Sequence, residues 1–458
     1  MFECFKDKEF LRKFIKITLP VMISSLISFL VSFLDNIMVG MTSNETVSGV
    51  YAANELIYIS TMAIYGITEG AGIFVQQYNG SNDSKHIKQC FRFKIYVTIL
   101  LLLVLIPLIY LFGSNFINIY TKTDTNSSLI LSEGVNYINI VALSLIPYAF
   151  SSTIFSTMKE IGKTKYPMAS SIIAICTNAL FNTLFIVILK MGGTGAAIAT
   201  VISRVAELSF LIIISKIKHL DFTNKTFETL KIEKDLFKSI SKKGTYLFIN
   251  EIGFALGMVL QTMAFSQRDG VLSSISIMST TSQIFEIVGT SMAVGVGVLI
   301  GSTLGVSDYT KAKDYSKKLH LLGMYIAIIS GIILIALSPV IPKLFRKVDE
   351  NQKTLATKLI IVFGLIYFAQ AVTVISYFTL RAGGKTLQTF LFDSCTMIFL
   401  YVPVSWILSL YTNLDMLYVF IFVRLLDLVK CAIGLIFIKK GDWAKNITIF
   451  KNEKTEVL

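Results

Sequence analysis

The chain has 458 residues, of which 54% are hydrophobic and 16% are charged, and its mean hydropathy is +0.68. A soluble domain of this size needs far more charge on its surface, so this composition excludes a soluble globular protein and predicts one that crosses a membrane many times. The formal net charge is +13, but the basic residues lie in short clusters between apolar stretches rather than in one patch, so we predict no nucleic-acid partner.

The first apolar stretch, Leu19 to Gly40, has the length of a transmembrane helix. About 20 mostly apolar residues cross the ~30 Å hydrocarbon core of a bilayer, and this stretch contains a single formal charge, Asp35. A carboxylate inside a membrane costs roughly 2.5 to 3.5 kcal/mol on insertion scales. We therefore expect Asp35 to face protein or water and to be a functional residue.

Apolar spans of similar length continue along the chain and predict an all-α membrane protein with twelve transmembrane helices. They fall near residues 15–39, 50–77, 94–113, 133–157, 167–189, 193–215, 245–266, 273–300, 319–338, 354–379, 387–410 and 413–438. A charged stretch divides them six and six. We therefore predict an N-terminal six-helix lobe at 1–216, a cytoplasmic linker at 217–243, a C-terminal six-helix lobe at 244–440 and a cytoplasmic tail at 441–458.

The basic residues also predict the orientation of the chain. Most of the 42 lysines and arginines lie before the first span, in alternate loops, in the linker and in the tail. Because positive loops stay in the cytoplasm, we predict that both termini are cytoplasmic. The basic N-terminal segment precedes a long span without a small-residue cleavage site, so we do not expect a removable signal peptide. The richness in Ile, Lys, Asn and Phe favours a bacterial cell membrane.

Two short patterns recur in the two halves. Glycine and aspartate positions after helices 2 and 8 share one offset: Gly72, Gly80 and Asp83 recur as Gly297, Gly305 and Asp308. A Gly-Lys-Thr sequence at 162–164 recurs at 384–386. Because six predicted helices separate the copies, the halves share one membrane orientation, and we predict a pseudo-two-fold axis along the membrane normal between the lobes.

Several stretches in this order resemble one transporter family. They are DNIMVG in helix 1, MGGTGAAIATVISR before and in helix 6, NEIGFALGM in helix 7, RAGGKT followed by Asp393 and YVPVSW, and the closing KKGDWAKN. Together they resemble the multidrug and toxic compound extrusion (MATE) transporters over nearly the whole chain. The resemblance implies an antiporter that uses sodium or proton entry to expel organic cations and other amphipathic compounds by alternating access.

The resemblance assigns Asp35 to a cation site in the N-terminal lobe. Its polar partners on helices 5 and 6 are matched here by Asn178, Asn182 and Thr200. The two asparagines are four residues apart and share one helix face, and oxygen ligands of this kind suit a hard cation such as sodium. Asn182 stands where many members carry a second acid, which leaves one carboxylate and keeps a proton open as the coupling ion.

A second group of acids falls in other spans. Glu251 resembles the acid that family members place in helix 7, and Gln370 replaces a helix 10 acid that some of them carry, so we predict a cation or substrate role for these two residues. Three further acids are candidates for a cavity wall, and the first two are spaced so that they can face the same cavity: Glu55, Glu69 and Glu286. Capping or packing competes with transport as the role of Asp393.

Two other functions compete with drug export. Flippases of lipid-linked precursors share the broad architecture, but they usually have a strongly basic cavity, whereas the charges within these spans are mainly acidic. An enzyme is disfavoured because the three histidines lack metal spacing and no nucleophile has an evident base. We therefore predict a monomeric transporter, not an enzyme. It needs no cofactor besides the coupling ion, and its partners are a small cationic or amphipathic substrate and membrane lipids.

Overall fold

The computed structural model describes residues 7–40, 44–121, 127–268, 271–345 and 348–449. Within these ranges the chain forms helices and no strands, which confirms the all-α prediction for this part. The helices are α1 Lys8–Gly40, α2 Asn44–Gly80, α3 Ser84–Thr121, α4 Ser127–Glu160, α5 Lys165–Ile188, α6 Gly192–Ile217, α7 Lys234–Ser266, α8 Leu272–Gly305, α9 Tyr309–Leu337, α10 Glu350–Ala382, α11 Thr386–Tyr411 and α12 Met416–Lys440.

In the described part of the chain, 11 helices are long and apolar enough to cross a membrane, as judged by length and composition only. They are α1 to α11. The last helix, α12, has 25 residues, but Arg424, Asp427 and Lys430 lie in its middle, whereas each of the other eleven contains an 18-residue stretch with at most two charged residues. The prediction of a twelfth span therefore depends on how these three charges are neutralised.

Three helices depart from regular α geometry. One turn of α4, Ala142–Ser144, is a 3₁₀ helix, and α5 ends in a π-helical segment, Thr183–Ile188. Two π-helical segments, Leu391–Cys395 and Met397–Tyr401, lie in α11. Such segments are frequent at functional sites because they rotate the following side chains relative to a regular helix. Here the π-helical segment of α5 directly follows Asn182, and the first π-helical segment of α11 contains Asp393.

Residue packing divides the chain into two compact units. Unit N comprises Pro20–Val75 and Asp83–Gly244, and unit C comprises Met1–Leu19, Gln76–Asn82 and Thr245–Leu458. Unit C therefore combines the second half of the sequence with two short pieces of the first half, and unit N contains the rest of the first half together with the linker. The predicted lobe boundaries at 216 and 244 stay a prediction.

Close contacts between helices explain why the first part of α7 belongs to unit N and the first part of α1 to unit C. In unit N, a Cβ atom added to Gly70 of α2 would lie 2.7 Å from the Cα atom of Gly244, so the start of α7 touches the backbone of α2. In unit C, Phe10 and Phe14 at the start of α1 belong to the apolar core, and a Cβ atom added to Gly295 of α8 would lie 2.5 Å from the methyl group of Thr18. The N-terminal parts of α1 and α7 thus each pack against a glycine of a long helix, at the third turn in both cases.

The predicted linker, 217–243, packs against the first half of α3 in unit N. Arg92 donates hydrogen bonds to the carbonyl oxygens of Thr226 and Lys231, and Tyr96 donates one to a third carbonyl oxygen of the same segment. The linker is therefore bound through its backbone, and α7 begins at Lys234, well before the predicted start of the seventh span at 245.

Glu233, the last residue before α7, is held by three side chains of α3. Lys85 and Gln89 donate to its carboxylate over 2.9 and 3.0 Å, and the ring of His86 lies 3.2 Å from it. These hydrogen bonds, with the one from Lys85 as the strongest, lower the pKa of Glu233 to about 2.

We expect the Glu233 contact to be lost only in strong acid. Because its pKa in the folded protein lies below that of a free glutamate, about 4.3, its contribution is complete above that pH and is lost as the pH falls towards 2. The Glu233 side chain is 45% exposed, so Glu233→Gln should weaken the docking of the linker on α3 by at most about 1 kcal/mol. That loss corresponds to tryptic cleavage of the linker about fivefold faster than in wild type at pH 7. Glu228→Gln, which removes an exposed pair with Lys225, is the control. Equal cleavage rates for the two variants would contradict this prediction.

In unit C, the ends of α2 and α8 cross at backbone contact distance. A Cβ atom added to Gly80 would lie 1.9 Å from the carbonyl oxygen of Ser302, and one added to Gly305 would lie 1.8 Å from that of Gln77. Gln77 and Ser302 are equivalent positions of the sequence repeat, as are the two glycines. Each copy therefore makes the same contact with the other, which is the pattern that a two-fold relation produces.

The segment after α12, residues 441–448, packs onto this crossing. The buried side chain of Gln77 donates to the carbonyl oxygens of Ala382 and Lys445 over 2.8 and 3.1 Å, and it accepts from the backbone N–H of Ile447 over 2.7 Å. Trp443 is 1% exposed. The described part of the predicted tail is thus an integral part of unit C, held by hydrogen bonds to the end of α2.

Candidate functional site

Unit N contains a cavity of about 440 Å³. Side chains of α1, α2, α4, α5 and α6 line it, and eight of them are serines. Its volume lies within the roughly 300 to 1,000 Å³ that small-molecule sites occupy. A wall with this many hydroxyl groups is suited to polar ligands, because each hydroxyl offers a donor and an acceptor.

The structure places two of the predicted cation ligands in the cavity wall, Asn178 on α5 and Thr200 on α6. Asn182 is buried next to them, and its amide donates to the Oδ1 atom of Asn178 over 3.1 Å. The hydroxyl of Thr200 donates to the carbonyl oxygen of Ala196 and keeps lone pairs for a cation. Asp35 lies on α1, but its side chain falls outside the described residues.

The other acids predicted for a cavity wall are in different places. Glu69 lines the cavity and is 8% exposed, whereas Glu55, on the same helix, lies outside the lining. Glu286 of α8 is in unit C, where its carboxylate accepts a hydrogen bond from Gln370 over 3.1 Å. Glu55 and Glu69 therefore do not both line this cavity, and their roles in transport stay a prediction.

A buried ion pair next to the cavity was not predicted from the sequence. Lys94 of α3 donates to both carboxylate oxygens of Glu160 over 2.8 and 2.6 Å, and to the hydroxyl of Ser156, a lining residue, over 2.9 Å. The side chains of the pair are 0% and 3% exposed. Lys94 is the first residue of the predicted third span, so the sequence predicted a position at the membrane edge for it. The signal that could have revealed the pair was Glu160, an acid at the end of the apolar helix α4.

In unit C, Glu251 is paired with a cation of the protein itself. Arg381 of α10 lies 3.5 Å from its Oε1 atom, and the Tyr377 hydroxyl donates to the same atom over 3.4 Å. The arginine is 2% exposed. Gln370, for which a cation or substrate role was also predicted, has a different partner, because its amide donates to Glu286.

Asp393 belongs to the same polar network. Lys430 of α12 donates to one of its carboxylate oxygens over 2.6 Å, and Asn250 donates to the other over 3.0 Å. Asn250 also donates to the Tyr377 hydroxyl over 3.0 Å and so connects this pair to Glu251. The network contains two acids and two bases, so the polar interior of unit C has no excess negative charge there. Lys430 was visible in the sequence as a cation inside an apolar span.

Long apolar helices that enclose a polar cavity define a membrane transport protein. The MatE family model matches residues 20–184 and 247–407, which is more than half of the chain. The chain belongs to the MatE family, and the resemblance predicted from the sequence is confirmed.

Named relatives agree with this assignment. The chain is 23% identical over 389 residues to the probable multidrug resistance protein YoeA of Bacillus subtilis, with 82% of each protein covered. It is 24% identical over 426 residues to the probable multidrug resistance protein NorM of Oceanobacillus iheyensis, with 90% of this chain and 92% of that protein covered. A crystal structure of MATE in the bent conformation superposes with a TM-score of 0.85 at 13% identity, over 98% and 97% of the two chains. At that identity the structural likeness shows the fold.

Proposed function

We propose that the protein is a secondary active antiporter that exports organic cations or other amphipathic drugs in exchange for sodium or protons. Membership of the MatE family supports this proposal, as do the multidrug resistance names of its relatives. The observation that carries it is the polar cavity inside unit N, whose wall contains Asn178 and Thr200. A monomer in the bacterial cell membrane, with both termini in the cytoplasm, is part of the proposal.

Alternating access in this proposal uses twelve helices in two lobes related by a pseudo-two-fold axis. The reciprocal contacts of Gly80 with Ser302 and of Gly305 with Gln77 support that symmetry. The charges of α12 are compatible with a twelfth span, because Lys430 is paired with Asp393 and Arg424 with Asp427. Paired charges are far cheaper to bury in a membrane than single ones.

We assign the coupling cation to the N-terminal half, at Asp35, Asn178, Asn182 and Thr200. The asparagines and the threonine supply oxygen ligands in one wall, whereas Glu251 already has Arg381 as its counter-ion. One charge moving down 100 mV releases about 2.3 kcal/mol, which sustains a roughly fiftyfold gradient of an uncharged cargo. A single coupling ion is therefore sufficient for export of a cargo that carries no net charge.

Dye efflux from proteoliposomes tests the proposal. Purified wild type, Asp35→Asn and Glu251→Gln are each reconstituted into proteoliposomes that are loaded with ethidium. A sodium gradient and a proton gradient are then imposed in turn. We expect one gradient to drive efflux by the wild type and by Glu251→Gln, and Asp35→Asn to abolish it, because an amide cannot carry the negative charge that the coupling ion binds. Size-exclusion profiles show that each variant is folded.

Two results would contradict the proposal. Full efflux by Asp35→Asn would remove the coupling ion from the N-terminal half. No dye movement under either gradient would contradict drug export and make a lipid-linked cargo the next substrate to assay.

A further inference from the structure

A second cavity lies in unit C, along the first turns of α9. Its volume is about 320 Å³, and one face of that helix lines it: Tyr309, Thr310, Lys313, Asp314 and Lys317. We call this cavity the α9 groove. Both of its lysines are exposed, and its lining also contains two hydroxyl groups. Ammonium and hydroxyl groups are hydrogen-bond donors for an anion such as a phosphate.

The acids next to the α9 groove are already bound. Lys318 lies 2.7 Å from the carboxylate of Asp314 and 2.9 Å from that of Asp7, the residue before α1. Lys313 and Lys317 form no ion pair with another described residue. Three lysines therefore face two acids, which leaves an excess of one positive charge.

Two further acids at this end of unit C are bound as well. Asp308, the residue before α9, caps the helix by accepting the backbone N–H of Lys311 over 3.0 Å. Asp442, just after α12, is paired with Lys385 over 2.5 Å. When these two lysines are counted with these two acids, the excess of positive charge at the α9 groove is unchanged.

The end of α12 brings two more lysines to the α9 groove. A Cβ atom added to Gly441, the residue after α12, would lie 3.2 Å from the Nζ atom of Lys313. Lys439 and Lys440 are the last two residues of α12, and both are exposed. With them, the excess rises to three positive charges. The ends of two helices thus combine into one basic site that matches an anionic ligand.

The lysines of the α9 groove lie at the depth of lipid headgroups. The apolar span predicted for α9 begins at residue 319, so the rise of the helix places Lys317 about 3 Å and Lys313 about 9 Å outside the hydrocarbon core. The headgroup region on each side of that core is about 5 to 8 Å thick. The two lysines therefore flank this region.

An exposed apolar surface continues from the α9 groove into the membrane. Ile328 and Ile332 lie on the same side of α9 as Lys317, about three and four turns further along, and they are 42% and 62% exposed. A soluble anion would contact the lysines alone. A ligand with an anionic head and an apolar tail contacts the lysines and the isoleucines together.

We propose that the α9 groove binds an anionic phospholipid, whose phosphate group contacts Lys313 and Lys317 and whose acyl chain lies against Ile328 and Ile332. Charge complementarity and depth in the membrane both support this ligand, since basic pockets at the membrane edge are known to take anionic headgroups. The inference goes beyond the proposed function and does not depend on what the unit N cavity transports. Its test therefore measures lipid binding instead of efflux.

Displacement of a labelled lipid provides the test. Radiolabelled dioleoylphosphatidylglycerol is bound to the purified full-length protein in detergent, and its displacement is followed by scintillation proximity. We expect unlabelled phosphatidylglycerol to displace it at a concentration at least tenfold lower than phosphatidylcholine with the same acyl chains, because the phosphatidylcholine headgroup has no net charge. Inorganic phosphate should displace no more lipid than sodium chloride at the same ionic strength.

Variants locate the bound lipid. Lys313→Gln and Lys317→Gln should each weaken binding of phosphatidylglycerol about fivefold, and the double variant about twenty-five-fold, because each basic residue near an anionic headgroup contributes about this factor. Lys311→Gln is the matched control on the same helix, since it removes the same charge. Its ammonium group lies 5.7 Å from the ring centre of Tyr315 and outside the groove lining, so it should change the affinity less than twofold. All three lysines are exposed, and size-exclusion profiles show that each variant is folded.

Three results would overturn the inference. Equal displacement by the two unlabelled lipids would mean that the acyl chains alone are bound. Displacement by inorganic phosphate beyond that by chloride would assign the lysines to a soluble anion. An equal loss in Lys311→Gln and in the groove variants would reduce the effect to the overall charge of this end of the protein. Since none of these results measures efflux, failure of the lipid site and failure of the antiport proposal are distinguishable.

Discussion

Replacing Lys94 by Met is expected to destabilise the protein by about 3 to 5 kcal/mol, because it leaves the carboxylate of Glu160 buried without its counter-ion. The ammonium group makes hydrogen bonds to both oxygens of that carboxylate and to the hydroxyls of Ser156 and Thr157. Both charged side chains are shielded from bulk solvent, since they are 0% and 3% exposed. No neighbouring polar group can fully replace the lost charge.

A double-mutant cycle measures the interaction energy between Lys94 and Glu160. Loss of monodisperse protein on heating is recorded for wild type, Lys94→Met, Glu160→Leu and the double variant. The double variant should be more stable than either single variant, because it removes both charges together. Lys225→Met, which breaks an exposed pair with Glu228, is the control and should be within about 0.5 kcal/mol of wild type. Additive losses in the cycle would show that the two charges do not depend on each other.

Gly305→Ala is expected to disrupt the crossing of α2 and α8. The added methyl group would lie 1.8 Å from the carbonyl oxygen of Gln77, a backbone atom that cannot move away without shifting α2. Overpacking costs about 1 to 3 kcal/mol when side chains can adjust, so a clash with backbone belongs at the upper end or above. Gly80→Ala should cost about as much, because its methyl group would meet the equivalent carbonyl oxygen of Ser302 at 1.9 Å.

Gly289→Ala, on the same helix as Gly305, is the matched control. Among the described residues, its methyl group would meet only the hydroxyl of Tyr367, at the ordinary contact distance of 3.7 Å. Since alanine is the better helix former by roughly 0.5 to 1 kcal/mol, this variant should be as stable as wild type or slightly more so. The test compares the thermal unfolding midpoints of the three alanine variants with that of wild type. A stable Gly305→Ala would mean that α2 and α8 do not cross this closely in the membrane.

The helices and the repeat were readable from the sequence because both depend on local or periodic information. Spans of about 20 apolar residues predict membrane helices without knowledge of their neighbours. The shared offset of Gly80 and Gly305 marked two equivalent positions, and the structure shows what they do: each admits the backbone of the other copy. The family was also readable, because its motifs lie in a fixed order along the chain.

The partners of charged residues that are far apart in the sequence were decided by the tertiary structure alone. Lys94 and Glu160 are 66 residues apart in the sequence, and Glu251 and Arg381 are 130 apart. No spacing rule connects residues at such separations, because the contact depends on which helices pack together and on how each is rotated. The pairing gives Glu251 a counter-ion within the protein, and its cation or substrate role stays a prediction.

The sequence by itself determined that this is a helical membrane protein of the MatE family, with an acid in its first span and a repeat in its two halves. The tertiary structure decided which polar residues share a cavity. It placed Asn178, Thr200, Glu69 and Arg204 in one wall and left Glu55 outside it. The physical reason is that an apolar span predicts only that a helix crosses the membrane. Whether a side chain on that helix faces lipid, another helix or a cavity depends on the packing of the whole bundle.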